Sequence, residues 1–315
     1  MRPVEPTLSA LPSPALRYFL ATRPAFLSVT LFGCLVGLAS AYWSGVTIQS
    51  PAALATVLFA MVAHAGINVL NDYYDALNGT DGVNRERIFP FTGGSRFIQN
   101  CVLSLRATAI YGYCLLAAVI PAGLWLTARS APGLILIGMA GLVVGWSYSA
   151  PPLKLMSRGV GELAVAAGWL LVVVGADFVQ RGGFSTVPMA VGLGYALLVA
   201  NVLYINQFPD ARADRQAGKR TLVVRLGAER ARWGYVVIAA IAYSWLTGCI
   251  ALGAVPLVAA PALLTAALSA RAARTLFAHA ANPSQLVPGI TRTIGAANLH
   301  GLLLTACLVG AKVAG

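Results

Sequence analysis

Charge is what this sequence has least of: ten aspartates and glutamates stand among 315 residues, and all charged types together make up 10%. Soluble domains carry about 25% charged residues, so an ordinary water-facing globular protein is excluded. Histidine is nearly missing, at three residues, and the five cysteines (Cys34, Cys101, Cys114, Cys249, Cys307) form no short pair and no Cys/His metal spacing. A disulfide framework and a zinc site are therefore set aside, and the cysteines read as packing residues. His64, His279 and His300 read as interior or interfacial, with His64 singled out because it lies one helical turn before Asn68. The first segment, MRPVEPTLSALPSPALRYFLATRP, has no compact apolar core followed by a small-residue cleavage site. It reads as an amphipathic lead-in over 1–23 rather than a cleaved signal peptide.

Apolar residues fill the space that charge leaves. Hydrophobic types reach 58%, and the mean hydropathy is +0.75. Runs of about 20 apolar residues, enough for a helix to cross a hydrocarbon core about 30 Å thick, recur along the chain. They fall at 24–43, 51–71, 107–127, 132–150, 161–180, 187–207, 234–253, 256–278 and 292–312. The expected fold is all-α: about nine transmembrane helices in a single domain over 24–315, with no soluble domain between them.

A formal net charge of +12 would suit nucleic acid if the basic residues were clustered on a soluble face. They are partitioned instead. With the N-terminus in the cytoplasm, 19 of the 22 Lys and Arg fall on the cytoplasmic side, and only Arg129, Arg181 and Lys312 fall on the other. That asymmetry is the positive-inside rule. It supports the nine spans and an inner-membrane protein whose two longest loops, 72–106 and 208–233, face the cytoplasm, and it leaves no role for nucleic acid.

Each long loop follows an acidic cluster at the end of a span. In NQFPDARADRQAGKRTLVVRLG, Asn206, Asp210 and Asp214 are spaced i, i+4, i+8, which stacks them on one helix face. In NVLNDYYDALNGTD, Asn68 and Asp72 repeat that spacing, with Asn71 and Asp75 offset by one turn. A third loop, YSAPPLKLMSRGVGE, brings Tyr148, Lys154 and Arg158 to the same membrane face. Carboxylates stacked in an apolar setting repel one another unless a cation neutralises them, and ionisable groups inside a membrane are costly and functional by default. Mg²⁺ suits such a place, because it is held by one or two carboxylates while water and phosphate oxygens fill its other positions. Lys154, Arg23, Lys219 and Arg220 are the candidate phosphate contacts. Asp81 and Glu86, each taken alone, read first as a helix cap or a surface ion-pair partner. TGGSR (92–96) is either a plain turn or a run of backbone N–H groups offered to an anion. Glu162 and Asp177 stay open, and of the tyrosines only Tyr148 and Tyr204 sit where they could touch a site.

The pair NVLNDYYDALNGTD and NQFPDARADRQAGKRTLVVRLG resembles the two Asp-rich signatures of UbiA-type intramembrane prenyltransferases, and YSAPPLKL resembles the motif on their intervening loop. The resemblance runs from about Arg23 to the C-terminus. Gly79 and Asp81, FTGGSR, and DRQAGKRTLVVRLG look most like the dihydroxynaphthoate polyprenyltransferases of menaquinone synthesis, while FIQNCVLS departs from that branch. The resemblance implies a helical bundle around a central cavity, with a lateral opening to lipid and a cytoplasmic cap. It implies Mg²⁺-dependent ionisation of an allylic polyprenyl diphosphate and attack on the cation by an aromatic acceptor. Asp72, Asp75, Asp210 and Asp214 would hold Mg²⁺, with Asp81 in second rank. Asn68 and Asn206 would orient them or touch metal and phosphate, and Tyr148 would guide the cation. Another acceptor (hydroxybenzoate, a lipid, or the prenyl chain itself in a cyclisation) and a cation-coupled transporter are the rival expectations.

Overall fold

The computed structural model describes residues 4–314; Met1 to Pro3, with Arg2 of the basic partition, and Gly315 lie outside the described residues. Twelve α-helices follow in order: α1 (Pro14–Ala21), α2 (Pro24–Trp43), α3 (Ser50–Asn78), α4 (Thr80–Val83), α5 (Leu105–Arg129), α6 (Leu134–Ser149), α7 (Gly161–Arg181), α8 (Val187–Gln216), α9 (Leu222–Leu226), α10 (Ala228–Ala251), α11 (Ala266–His279) and α12 (Val287–Ala314). A 3₁₀ segment, Leu257–Thr265, leads into α11. No strand occurs among the described residues.

Eight helical segments among the described residues are long and apolar enough to cross a membrane, with Leu257–His279 counted as one. The ninth expected span, 132–150, is the apolar helix α6, which has only 16 residues and so rises about 24 Å. Its end is dictated by Pro151 and Pro152, since the residue before a proline is driven out of the helical region, and Ala150 is extended.

The helix ends follow local chemistry. Ser104 caps α5 by accepting from the Ala107 N–H at 3.1 Å. Pro209 stands inside α8, where it lacks the N–H that would bond the Ile205 carbonyl. The ladder is thus interrupted one residue before Asp210.

The largest core joins α2, α7, α8, α10 and α12 through Val36, Val173, Tyr195, Leu198, Ala242 and Leu304. Helices α3 and α5 approach by exchanging small residues. A Cβ on Gly66 would stand 2.9 Å from Leu116, and one on Gly112 would stand 2.8 Å from Leu70. Small residues permit such close approach between membrane helices. Large apolar side chains, among them Leu54, Ile110, Leu136, Val143, Val237 and Leu264, face outward, as a bundle bathed in lipid requires.

At one end the long loop between α4 and α5 folds back over the bundle and forms the cap. The lead-in holds it there. Glu5 accepts from Arg87 at 2.7 Å and from Asn100 at 3.2 Å, while Leu11 and Ala21 pack against Phe97, Val102 and Leu103.

Candidate active site at the acidic end of the bundle

A cavity of about 640 Å³ runs between α2, α3, α5, α6, α7 and α8. Its walls are apolar, including Phe59, Ile67, Leu142, Trp169, Val172 and Leu203. Ile120 and Leu124 of α5 and Ile135 and Met139 of α6 line it and are also exposed on the outer surface, so it opens sideways between those two helices. Its other end, under the cap, is polar.

The expected helix face of α8 is present: Asn206, Asp210 and Asp214 all line the cavity. From α3 come Asn68, Asn71 and Asp75, and from α4 comes Asp81. Asp72 is buried just behind Gly94 and is not part of the lining. A Cβ on Gly94 would sit 3.0 Å from Asp72 Oδ1 and would collide with Asp81 Oδ2. Glycine alone fits between the two acids, and its φ of +71° favours glycine as well.

TGGSR is not a plain turn. The Gly93 N–H donates to Asp210 at 3.4 Å, and the Ser95 N–H donates to both oxygens of Asp72 at 3.2 Å. The cap loop thus offers its amides to one carboxylate of each cluster. Asn84, from the same loop, donates to Asp210 Oδ1 at 2.6 Å. Asp75 accepts from Asn71 at 3.2 Å and from Asn78 at 3.1 Å.

Lys219 joins the two clusters. Its ammonium lies 2.8 Å from Asp75 and 3.4 Å from Asp214, and all three residues are buried. Burial works against the Lys219 charge, but the carboxylates of Asp75 and Asp214 outweigh it and hold the group above its ordinary range. Burial first, then the charges of Asp75 and Asp72, push the Asp81 carboxyl well above the usual carboxylate range. Too much negative charge is gathered here for the single ammonium.

Arg23 lines the cavity, donates to the Phe91 carbonyl at 2.9 Å and lies over the Phe26 ring at 4.6 Å. Tyr148 also lines it, and His64 lines the wall with Nδ1 2.8 Å from Thr30 Oγ1. Tyr204 does not: it is buried in the core, donating to the Ala231 carbonyl at 2.8 Å. Two expected phosphate contacts stand elsewhere. Lys154 is exposed on the turn that follows the proline pair, and Arg220 is exposed beside Arg215 and Arg225 on the outer surface. Both lie outside the cavity. Each belongs to a turn, where neighbouring side chains diverge, and it is Lys219 that points inward.

The amides of Gly93 and Ser95 fulfil the second reading of TGGSR, with carboxylates as the anions, whereas Asn84 escapes sequence reasoning because its contact depends on how a loop without periodicity folds back. Asn71 carried a signal, its place within NVLNDYYD. Gln207 carried none; it lines the cavity, donates to the buried Glu162 and accepts from the Val223 N–H at 3.4 Å. Asp177, at the far end of α7, is paired with Arg181 at 2.7 Å and accepts from Ser40 at 2.8 Å.

Among the described residues no group of three Asp, Glu, His or Cys side chains converges closely enough to hold a metal by itself. The donor set nevertheless fits a hard cation that shares its shell with phosphate and water. All the donors are oxygens, and Asp81 Oδ2 and Asn206 Oδ1 are buried without hydrogen-bond partners.

Known proteins place the chain in a family. The chain is 32% identical over 257 residues to the 1,4-dihydroxy-2-naphthoate octaprenyltransferase of Mycobacterium tuberculosis, a match covering 80% of this chain and 85% of that protein. It is 30% identical over 263 residues to the Mycobacterium leprae protein of the same name, covering 80% and 84%. A UbiA homolog from Archaeoglobus fulgidus, solved with GPP and Mg²⁺, shares the fold at a TM-score of 0.61 and 17% identity, covering 92% of this chain and 99% of that one. The UbiA prenyltransferase family profile matches residues 30–287, and the chain is a membrane-embedded member of the UbiA prenyltransferase family.

Proposed function

We propose that this prenyltransferase moves a polyprenyl group from an allylic polyprenyl diphosphate to 1,4-dihydroxy-2-naphthoate, with Mg²⁺, at the cytoplasmic face of a bacterial inner membrane. The observation that carries the reading is one cavity with two unlike ends. Acids from α3, α4 and α8 meet at the capped end, and an apolar trough leads from them to an opening between α5 and α6. An amphiphile with a charged head and a long apolar tail matches that shape. The names of the mycobacterial relatives support the choice of acceptor, and the GPP and Mg²⁺ named for the archaeal structure support the donor class and the metal.

Asp75, Asp81, Asp210 and Asp214, with Asp72 behind Gly94, are assigned to hold Mg²⁺ directly or through water. When bound, Mg²⁺ neutralises the diphosphate and makes it a better leaving group. Asn68 donates to the Thr22 carbonyl at 3.0 Å, and with Asn206 it would orient the carboxylates or contact the metal and phosphate. Arg23 and Lys219 are the cavity-lining cations assigned to phosphate oxygens. The C–O bond of the allylic diphosphate breaks and its electron pair leaves with the diphosphate. An electron-rich ring carbon then forms the new C–C bond, and the acceptor's carboxyl group departs as carbon dioxide. Tyr148 and the apolar walls surround the allylic cation and keep water from it.

The test is to incubate the purified protein in detergent with a labelled polyprenyl diphosphate, Mg²⁺ and a panel of aromatic acids. Prenylation of dihydroxynaphthoate is expected. Diphosphate release that needs neither Mg²⁺ nor Asp75 and Asp210 would sink the mechanism. Transfer to hydroxybenzoate alone, or release without transfer, would sink only the acceptor.

A further inference from the structure

Lys219 stands where a divalent cation would be expected. It follows Gly218, whose φ is +75°, and its N–H donates to the Asp214 carbonyl at 2.8 Å, so the turn aims its side chain into the cavity. Its ammonium reaches carboxylates of two different helices, Asp75 of α3 at 2.8 Å and Asp214 of α8 at 3.4 Å. Arg23, the other cavity-lining cation among the described residues, is engaged by the Phe91 carbonyl and the Phe26 ring.

We infer that Lys219 is an internal counter-ion that keeps divalent metal from Asp75 and Asp214 until a diphosphate offers its ammonium another partner. A metal entering alone would have to turn the ammonium away from both carboxylates while it stays buried. An unpaired buried charge is strongly unfavourable. A diphosphate arriving with the metal removes that obstacle, because its oxygens accept from Lys219 and complete the metal's shell. Metal uptake thereby becomes conditional on the donor substrate, and the carboxylates are never left bare in a low-dielectric site. The inference rests on the proposed function in taking Asp75 and Asp214 as cation-binding groups and a diphosphate as the substrate.

The experiment measures binding of Mn²⁺ alone to the full chain in detergent, by the loss of the free-ion electron paramagnetic resonance signal. Lys219→Met is expected to bind Mn²⁺ at least about tenfold more tightly than the unchanged protein, because a competing charge has gone. Lys219→Arg, which keeps the charge, is expected to bind like the unchanged protein. If Lys219→Met unfolds without metal, Mn²⁺ is expected to restore its thermal transition, and Lys219→Gln gives a second neutral variant for the titration. Mn²⁺ affinity that is unchanged or weaker in both neutral variants, or no restoration by Mn²⁺, overturns the inference. Asp75→Asn and Asp210→Asn separate the two claims. If they lose Mn²⁺ binding in the presence of diphosphate while the lysine variants behave like the unchanged protein, this inference alone fails. If they bind Mn²⁺ as the unchanged protein does, the metal assignment of the proposed function fails with it.

Discussion

Asn84 donates its side-chain amide to Asp210 Oδ1 at 2.6 Å, across 126 positions of sequence, and this bond ties the cap loop to the acid cluster of α8. Asn84 is 1% exposed, so water cannot take over its role. A buried hydrogen bond to a charged group contributes about 1.5–3 kcal/mol. Asn84→Ala is accordingly expected to lower kcat/KM for the prenyl diphosphate by about tenfold or more, since each 1.4 kcal/mol is about tenfold in rate. Steady-state kinetics at saturating Mg²⁺ checks it; an unchanged kcat/KM would show that the cap does not position Asp210.

Gly94 separates Asp72 from Asp81, and a methyl group there has no room. Gly94→Ala also forces a non-glycine residue into the left-handed region, at about 1–2 kcal/mol. Prenyl transfer is expected to fall at least about tenfold, with a larger Mg²⁺ requirement as the carboxylates are pushed apart. Gly82→Ala serves as the comparison, because its Cβ would meet nothing within 4 Å. Equal activities of the two variants would remove Gly94 from the site.

Asp81 sets the sign of a pH effect. Burial and the nearby charges of Asp75 and Asp72 raise its carboxyl well above the carboxylate range in the folded protein, whereas the unfolded value is about 3.9. Between those two values the folded state binds more protons than the unfolded one, so stability falls as pH rises. The metal-free thermal transition is expected to drop as pH climbs above about 4 toward the raised value, and Mg²⁺ with diphosphate is expected to flatten that drop. Thermal unfolding of the Asp81→Asn variant across the same range checks the assignment: its slope should be shallower, and an identical slope would place the effect elsewhere.

The repeat of Asn and Asp at helical spacing made the α8 face legible, because a continuous helix carries spacing directly into geometry. Asn206, Asp210 and Asp214 line the cavity together for that reason. Turns carry no such spacing rule. Lys154 and Lys219 look alike in sequence, a cation a few residues after a helix, yet one is exposed and the other is buried between two carboxylates. No periodicity reports that difference. The number of apolar runs was readable, and so was the end of α6 before Pro151 and Pro152; the helix falls short of the 132–150 run because it starts only at Leu134. The cap was anticipated only through the resemblance, since the bonds that close it, from Glu5, Asn84, Gly93 and Ser95, join segments distant in the chain.

The apolar trough predicts donor selection. Gly138 of α6 lines it, and a Cβ there would meet nothing within 4 Å, so a large side chain would project into the trough instead of clashing with a neighbouring helix. Gly138→Phe is expected to lower the rate with a long polyprenyl diphosphate relative to geranyl diphosphate by about tenfold, a size within what steric pockets achieve. Competition between the two donors in one reaction reads the ratio; an unchanged ratio would move the tail to another path.

The central claim is that acids from two helices jointly drive prenyl transfer from a diphosphate to an aromatic acid. The most direct measurement is the product mass formed from a polyprenyl diphosphate of known length, dihydroxynaphthoate and Mg²⁺, with the purified protein and with Asp75→Asn and Asp210→Asn. The account predicts a product in which one prenyl group stands in place of the acceptor's carboxyl group, lost in a metal chelator and in either variant. A prenylated product that forms undiminished in both variants, or no product of any acceptor despite intact donor binding, would contradict it.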